Sequence, residues 1–532
     1  MLFAHSLNSQ VWKTYPYHQD SSVLNFPRDE GYHPGEVVEW WYVNAHFKGD
    51  STGTDYAGMF TFFYYPAFGF DGFRIFELSN ENTGDFLTET QPCKYTTLSQ
   101  TELEIQSNSG VLGNIQEEWV TIKDPEGGLK PFQYRIKASM ANGSIDFNMN
   151  AVKRPLMVGG TGFLYEGETG YTYYYSITEL QISGTVNMNG VTETIHGQAW
   201  IDRQWGEFNP NTGEQYTWMS LNMSNGMDFN LWNIFNKQNE IPNTPEFRFC
   251  SAYLNDSTDT TFSDFNLERL KYVYTSDSVR CYDQQWRFTA PNINLLITAT
   301  QSNNEVKLPF RFFEGSLHIE GVINGEEVSG IGYTELLHSF DKPDVSILAP
   351  ANFSHQGPEV VPIVWKLNNP DDGRPLWYDL SISTDGKNTF TPIATHLTDT
   401  SFVCAPDSLL DAECWLMIKS FSIDTVLFQT LIADQPFYLG EAGIDESPAM
   451  SAVKSFPNPF TSGTSLEFEL KKPALVNLRI TNVCGKEISR MQAFYHSAGR
   501  QTINWNAVVP SGIYFYHLQF NGQNFSGKLL KH

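Results

Sequence analysis

Hydrophobic and polar positions alternate along most of this chain. From Tyr171 to Val186, and again from Val191 to Trp205, aromatic and β-branched residues recur with a period of two, and Asn189-Gly190 between them is a tight-turn signal. The pattern predicts a long β-hairpin. Successive side chains of a strand point to opposite faces, so Trp200, Asp202 and Gln204 share one face, and Ile201, Arg203 and Trp205 share the other. Val37–Phe47 reads the same way: Trp40, Tyr42, Asn44 and His46 line one face, and Trp41, Val43, Ala45 and Phe47 line the other. Further strands are predicted within Gly58–Phe76 and over Leu103–Ile105, Trp119–Ile122, Tyr134–Ala138 and Ile145–Met149. Strands of this number and length suit a closed antiparallel barrel, which removes sheet edges and encloses a cavity.

The pattern then returns. Gly197-x-x-Trp200-x-Asp202 is matched by Gly330-x-x-Tyr333-x-Glu335. The hairpin of Ile182-Ser183-Gly184 and Asn189-Gly190 is matched by Ile319-Glu320-Gly321 and Asn324-Gly325. Tyr216–Asn222 echoes the aromatic opening strand of the first copy. Two copies of one strand–turn–strand unit imply two related β-domains facing each other, and ligand pockets favour such interfaces and the mouths of barrels. Beyond Asp341 the spacing shortens. Strands around Val361–Trp365, Trp377–Ser383, Ser401–Cys404 and Cys414–Phe421, with a tryptophan on an early one, suit an immunoglobulin- or fibronectin-like sandwich. It carries no cluster of titratable side chains and reads as a spacer. Gly440–Met450 is a polar linker, after which alternation resumes.

Composition narrows the function classes. A chain of 532 residues exceeds one core and, at roughly 100–200 residues per domain, divides into several. A net charge of −26 argues against a nucleic-acid partner and against adsorption to anionic lipid. No apolar run approaches the roughly 18 residues of a membrane-spanning helix. The six cysteines form no C-x-x-C, so a zinc site is not expected; Cys250 with Cys281 and Cys404 with Cys414 are candidate disulfides for an oxidising compartment. His46 has no second histidine at ligand spacing, and nothing points to a metal or cofactor.

Several of these motifs, in this order, carry a resemblance. Glu39-Trp40-Trp41-Tyr42, Tyr173-Tyr174-Tyr175-Ser176, the run Trp200–Gly206, Glu314-Gly315 and Gly332-Tyr333-x-Glu335 resemble the lipocalin-like family of hydroxyneurosporene synthase (carotenoid 1,2-hydratase) and the AttH-type predicted secreted hydrolases, over residues 25–340. Pro457-Asn458-Pro459-Phe460, Ser511-Gly512-Ile513-Tyr514 and Gly527-Lys528 resemble the C-terminal sorting domain of the type IX secretion system. The expected fold is therefore all-β. An irregular lead-in (1–25) is followed by two consecutive lipocalin-like antiparallel barrels (26–212 and 213–340). An immunoglobulin-like domain (341–439), a linker (440–451) and a small β-sandwich sorting domain (452–532) complete it. The resemblance implies a secreted or surface protein that meets the type IX secretion machinery. Met1–Ser6 lacks the basic end and apolar core of a signal peptide, so a leader is expected to be missing from this chain.

The resemblance also implies an apolar ligand (a lipid, isoprenoid or polyene) and hydration or isomerisation of it. Protonating an alkene carbon requires a positioned carboxylic acid, and aromatic faces steady the cation that forms. Asp202, between Trp200 and Trp205, is the first candidate for that acid, with Glu39 and Glu335 behind it. Trp40, Tyr42, Asn44, His46, Tyr173, Tyr175, Trp200, Arg203, Gln204, Trp205, Glu314 and Tyr333 are the candidate ligand-binding residues. Arg203 stands where family members often carry histidine, and an Asp202–Arg203 pair would lower the acid's pKa and oppose that role. The alternatives are a non-catalytic lipocalin-type carrier using the same aromatics, and a secreted hydrolase. The last finds no Gly-x-Ser-x-Gly elbow and no evident Ser–His–Asp set.

Overall fold

The computed structural model describes residues 11–168, 170–207, 213–356, 360–405, 412–439, 453–470, 473–483, 485–520 and 523–532. Among these the only helical element is a 3-10 turn at Arg28–Glu30. The rest is strand and connection. The first unit comprises β1 (Val38–Gly49), β2 (Asp55–Ala67), β3 (Phe70–Asn80), β4 (Asp85–Leu98), β5 (Glu104–Ser109) and β6 (Ile115–Lys123). It continues through β7 (Leu129–Met140), β8 (Gly143–Ala151), the short β9 (Leu156–Met157) and β10 (Phe163–Glu166), and the long β11 (Gly170–Met188) and β12 (Val191–Glu207). From β1 to β8 each strand pairs antiparallel with the next, β12 pairs with β1, and the second half of β11 pairs with β8, which closes the ring. A register shift between Ile177 and Leu180 divides β11 into that half and a first half that pairs with β9 and β10.

The second unit comprises β13 (Gln215–Met223), β14 (Asp228–Phe235), β15 (Arg248–Asn255), β16 (Thr258–Phe262), β17 (Asn266–Tyr274) and β18 (Cys281–Ala290). β19 (Ile293–Ala299), β20 (Glu305–Val306), β21 (Phe312–Ile323) and β22 (Glu326–Leu336) complete it. Its strands run in the order β16-β15-β14-β13-β22-β21-β19-β18-β17, with β20 on β21 and no pairing between β16 and β17. The glycines of the repeated motif have one cause. A Cβ on Gly197 would lie 2.2 Å from the His46 carbonyl oxygen, and one on Gly330 would lie 2.5 Å from that of Asn222. In both units the returning strand crosses its neighbour too closely for a side chain.

The lumen of the first barrel is solid. Trp41, Phe60, Phe62, Phe76, Trp119, Tyr134, Ile136, Tyr175 and Trp205 meet there, and the void among Val43, Phe60, Phe76, Ile136 and Phe147 measures about 10 Å³. Among its described residues the lead-in forms no strand, yet from Trp12 onward it seals one barrel end. Trp12, Tyr15, Tyr17 and Phe26 pack around Phe132, and Glu30 accepts hydrogen bonds from Tyr15 and Tyr134, both at 2.6 Å. Arg203 staples this plug from inside. Its guanidinium lies 3.9 Å from the Trp41 ring centroid and donates to Glu39 and to the carbonyls of Gly31 (2.6 Å) and Trp40 (3.0 Å).

Two sandwiches follow. Residues 345–439 form a three-stranded and a six-stranded sheet around Trp365, Leu380 and Ile418. This domain is clamped to the second barrel by Asp372, which binds His338 (3.3 Å) and Arg374, while Phe340 and Leu427 pack against Tyr272 and Cys281. Residues 454–531 form a three-stranded and a four-stranded sheet around Leu466, Leu478 and Leu518. Cys93, Cys250, Cys281, Cys404 and Cys414 are all buried free thiols, so neither candidate disulfide forms; Cys484 lies outside the described residues.

Removing one member of a buried ion pair strands the other. Arg203→Met is therefore expected to lower unfolding free energy by about 3–5 kcal/mol in urea titrations. Adding Glu39→Gln should recover part of that loss, because no unpaired charge then remains.

Candidate functional site

The outward faces of the two units meet. Because β11, β12, β1, β2 and β3 are in register, their outward side chains form rows, and the strand rise separates successive rows by roughly 7 Å. The first row is Phe73, Phe63, Trp40, Gln204 and Tyr174. The second is Ile75, Thr61, Tyr42, Asp202 and Ser176; the third is Glu77, Met59, Asn44 and Trp200. Barrel two answers with Phe249, Trp232, Trp218, Glu335 and Glu314 in one row, and Ser251, Asn230, Ser220, Tyr333 and Ser316 in the next.

Four carboxyl groups in this seam each take a hydrogen bond from a tyrosine. Tyr174 donates to Asp202 and Tyr216 to Glu335, each within its own barrel. The other two bonds cross reciprocally: Tyr42 of barrel one donates to Glu314 of barrel two at 2.7 Å, and Tyr333 of barrel two donates to Glu77 of barrel one at 2.6 Å. Asp202 also accepts from Ser176 (2.5 Å) and the Trp200 indole (2.7 Å). Asn230 reaches over to donate to the Tyr174 and Ser176 hydroxyls at 2.7 and 3.0 Å. Asn44 donates to Ser220 (3.2 Å), and the His46 ring donates to the Gly332 carbonyl (2.9 Å), sealing the far end. Toward the near end Trp40, Phe63, Phe73, Tyr216, Glu335 and Leu337 are half-buried.

Burial sets the titration. It pushes Asp202 up to about 6 against the three donors that favour its charged form. Burial, with the repulsion of Asp202, pushes Glu335 up to about 7, opposed by Tyr216. Burial raises Glu314 and Glu77 well above the carboxylate range, and each feels the Glu335 charge. One oxygen of each of these two, Glu314 Oε2 and Glu77 Oε2, has no hydrogen-bond partner. Burial lowers His46 to about 4, so its ring is neutral at neutral pH. Among the described residues no group of three or more His, Cys, Asp or Glu side chains is placed to hold a metal ion.

Ten of the sequence-predicted residues meet in this seam: Asp202, Glu335, Trp40, Tyr42, Asn44, His46, Trp200, Gln204, Glu314 and Tyr333. The others do not. Glu39, Arg203, Trp205, Tyr173 and Tyr175 lie on the opposite side of the sheet, toward the lumen and its mouth, where Tyr173 stacks on Trp205 at 5.6 Å. Alternation separates Asp202 from Arg203, which pairs with Glu39 instead. Burial alone would raise Glu39, but Arg203 and His33 outweigh it and hold Glu39 below its ordinary range, unsuited to donating a proton at neutral pH. Tyr174 and Ser176, one step from the predicted Tyr173 and Tyr175, are the side chains that hold Asp202. Glu77 and Asn230 carry no local signal, since their importance comes from cross-barrel contact. Tyr216 is visible in the sequence only as part of the echoed strand.

Two lipocalin-like barrel units packed face to face around a buried carboxyl row define a double-barrel protein. The chain belongs to the AttH-like family, which matches residues 17–339. A secretion-system C-terminal sorting domain matches residues 454–532 and marks the protein as secreted or displayed at the cell surface. A protein assigned as an AttH from Nitrosomonas europaea superposes over 59% of this chain and 96% of its own, at 21% identity and a TM-score of 0.50. Kievitone hydratase from Nectria haematococca covers 61% of this chain and 98% of its own, at 16% identity and a TM-score of 0.46. No curated protein matches the chain. No helix among the described residues is long and apolar enough to cross a membrane.

The raised carboxyls make stability fall with pH. A group whose folded pKa exceeds its unfolded value stabilises the fold below the unfolded value, and that contribution is lost as pH rises through the folded one. For Asp202 the window runs from 3.8 to about 6, and for Glu335 from 4.5 to about 7. Unfolding free energy is expected to fall across that range, and Glu335→Gln to flatten the upper part of the slope. Urea titrations at a series of pH values read both effects.

Proposed function

We propose that the carboxyl row between the barrels is an acid–base site which, outside the cell, adds water to or removes it from an alkene of a largely apolar, isoprenoid- or lipid-type molecule. One observation carries this reading: the acids of the two motif copies, Asp202 and Glu335, meet in one seam with pKa values of about 6 and about 7. Groups whose environments set them on either side of the working pH divide acid and base roles between them. The donors around Asp202 favour its ionised form and assign it the base; Glu335, the higher of the two, is the acid. This reverses the role expected for Asp202 from sequence. Glu335 gives its proton to one alkene carbon, and the faces of Trp40 and Trp218 steady the cation on the other. Water bonds to that carbon while Asp202 takes its proton. The reverse sequence removes water.

The filled lumen of barrel one supports this reading over a carrier, since a void of about 10 Å³ admits one water at most. Substrate reaches the row by parting the half-buried layer of Trp40, Phe63, Tyr216 and Leu337, so binding is expected to change tryptophan fluorescence.

The test is incubation of the full chain with unsaturated terpenoids and prenylated phenols in ¹⁸O-labelled water, with mass spectrometry for the labelled alcohol. Asp202→Asn and Glu335→Gln should each slow labelling by about 10²–10⁴-fold. The pH–rate profile should be bell-shaped, with its maximum between about 6 and about 7, where Asp202 is ionised and Glu335 protonated. No labelling from any probe, or full activity in Asp202→Asn, would refute the reaction.

A further inference from the structure

The two motif copies differ at one telling place. In barrel one Asp202 faces Ser176 across the strand pair; in barrel two Glu335 faces Glu314. Glu314 thus stands where its counterpart is a small hydroxyl. It is fully buried, its Oε1 accepts from Tyr42, and its Oε2 has no partner. Tyr42 is itself the cross-strand neighbour of Asp202. Leaving a buried carboxyl oxygen unpaired costs free energy that a bound hydrogen-bonding group recovers. Hydration of a plain alkene has no use for that oxygen, because no charge develops on a substrate heteroatom. A carboxylic acid kept neutral by an apolar site can instead donate to a developing oxyanion while a second carboxylate moves a proton.

We propose that the site takes β,γ-unsaturated ketones and moves their double bond into conjugation, with the Glu314 acid hydrogen-bonded to the carbonyl oxygen and Asp202 as the proton carrier. The inference rests on the assignment of the seam as the reactive site, but not on hydration. Asp202 removes the α proton. The C–H electron pair forms the new carbon–carbon double bond, and the carbonyl π pair moves to oxygen, where the Glu314 O–H holds the charge. Collapse of that oxyanion drives the electrons back through the dienolate, and the γ carbon takes the proton from Asp202. Nothing is consumed, and no co-reactant is needed. Glu314 is the catalytic donor. Tyr42, bonded to its other oxygen, is a positioning residue.

The experiment uses the full chain, cyclohex-3-enone as substrate, and ultraviolet absorption of the conjugated product. A second readout is the fluorescence of 2-naphthol, whose oxygen mimics that of the dienolate. The wild type should accelerate conversion over buffer, and Asp202→Asn should abolish the acceleration. Glu314→Ser, which installs the residue of the other copy, should lower the rate by about 10²–10³-fold, as removal of an oxyanion donor does. It should also weaken 2-naphthol binding. Tyr42→Phe should shift the pH dependence of the rate and of naphthol binding, a change that loss of packing alone would not produce. Should Glu314→Ser fail to fold, judged by tryptophan emission, Glu314→Gln carries the same test with a smaller expected loss. No conversion by the wild type, or conversion and naphthol binding indifferent to Glu314, overturns the inference. Labelled alcohol without enone conversion would sink this inference alone; Glu314-dependent enone conversion without labelled alcohol would sink only the hydration reaction.

Discussion

Burying carboxyl groups between two β-barrels is costly, and the seam is organised around meeting that cost. A carboxylate moved out of water must be neutralised or hydrogen-bonded, and here each of four acids is given a tyrosine hydroxyl. Two of those bonds cross the seam in opposite directions, so separating the barrels breaks both. The same bonds that secure the interface hold the carboxyl groups in place. Where donors are most numerous, at Asp202, the charged form is favoured most; where burial acts with few donors, at Glu314 and Glu77, the neutral form prevails.

The barrels serve as scaffolds rather than containers. Trp41, Trp119 and Trp205 fill the first lumen, and the lead-in from Trp12 to Glu30 plugs its end. A packed barrel is stiff, and its outward rows inherit that stiffness through the strand register. Asp202 is fixed by its neighbours on β11 and β1, and Glu335 by those on β13 and β21. Rigid elements of this kind hold a constellation more closely than loops do. The immunoglobulin-like domain is joined to the second barrel through the contact of Asp372 with His338.

Much of this is legible in the chain. Period-two alternation by itself separates Trp200, Asp202 and Gln204 from Ile201, Arg203 and Trp205, and the repeated Gly-x-x-aromatic-x-acid motif announces the duplication. Alternation says which residues share a face, not which face is the lumen. Glu39, Arg203 and Trp205 therefore look in the sequence like members of Asp202's cluster when they belong to the plug's staple. Tyr173 and Tyr175 stand out over Tyr174 and Ser176 for the same reason, because only register against β12 decides the matter. The partners of Tyr42 and Tyr333 lie 272 and 256 residues away, and no local pattern encodes which row of one barrel meets which row of the other.

Duplication explains why the seam has two acids at matching places, and divergence explains why they differ. A symmetric interacting pair would titrate in two steps that belong to the pair, with neither residue marked in advance as giver or taker. Asp202 keeps the short serine neighbour and gathers three donors; Glu335 received Glu314 beside it, whose burial leaves no compensating positive charge. Serine in one copy and Glu314 in the other thus give the two acids different neighbours, and Glu314 keeps one buried oxygen without a partner. The chemistry proposed for the site draws on that broken symmetry.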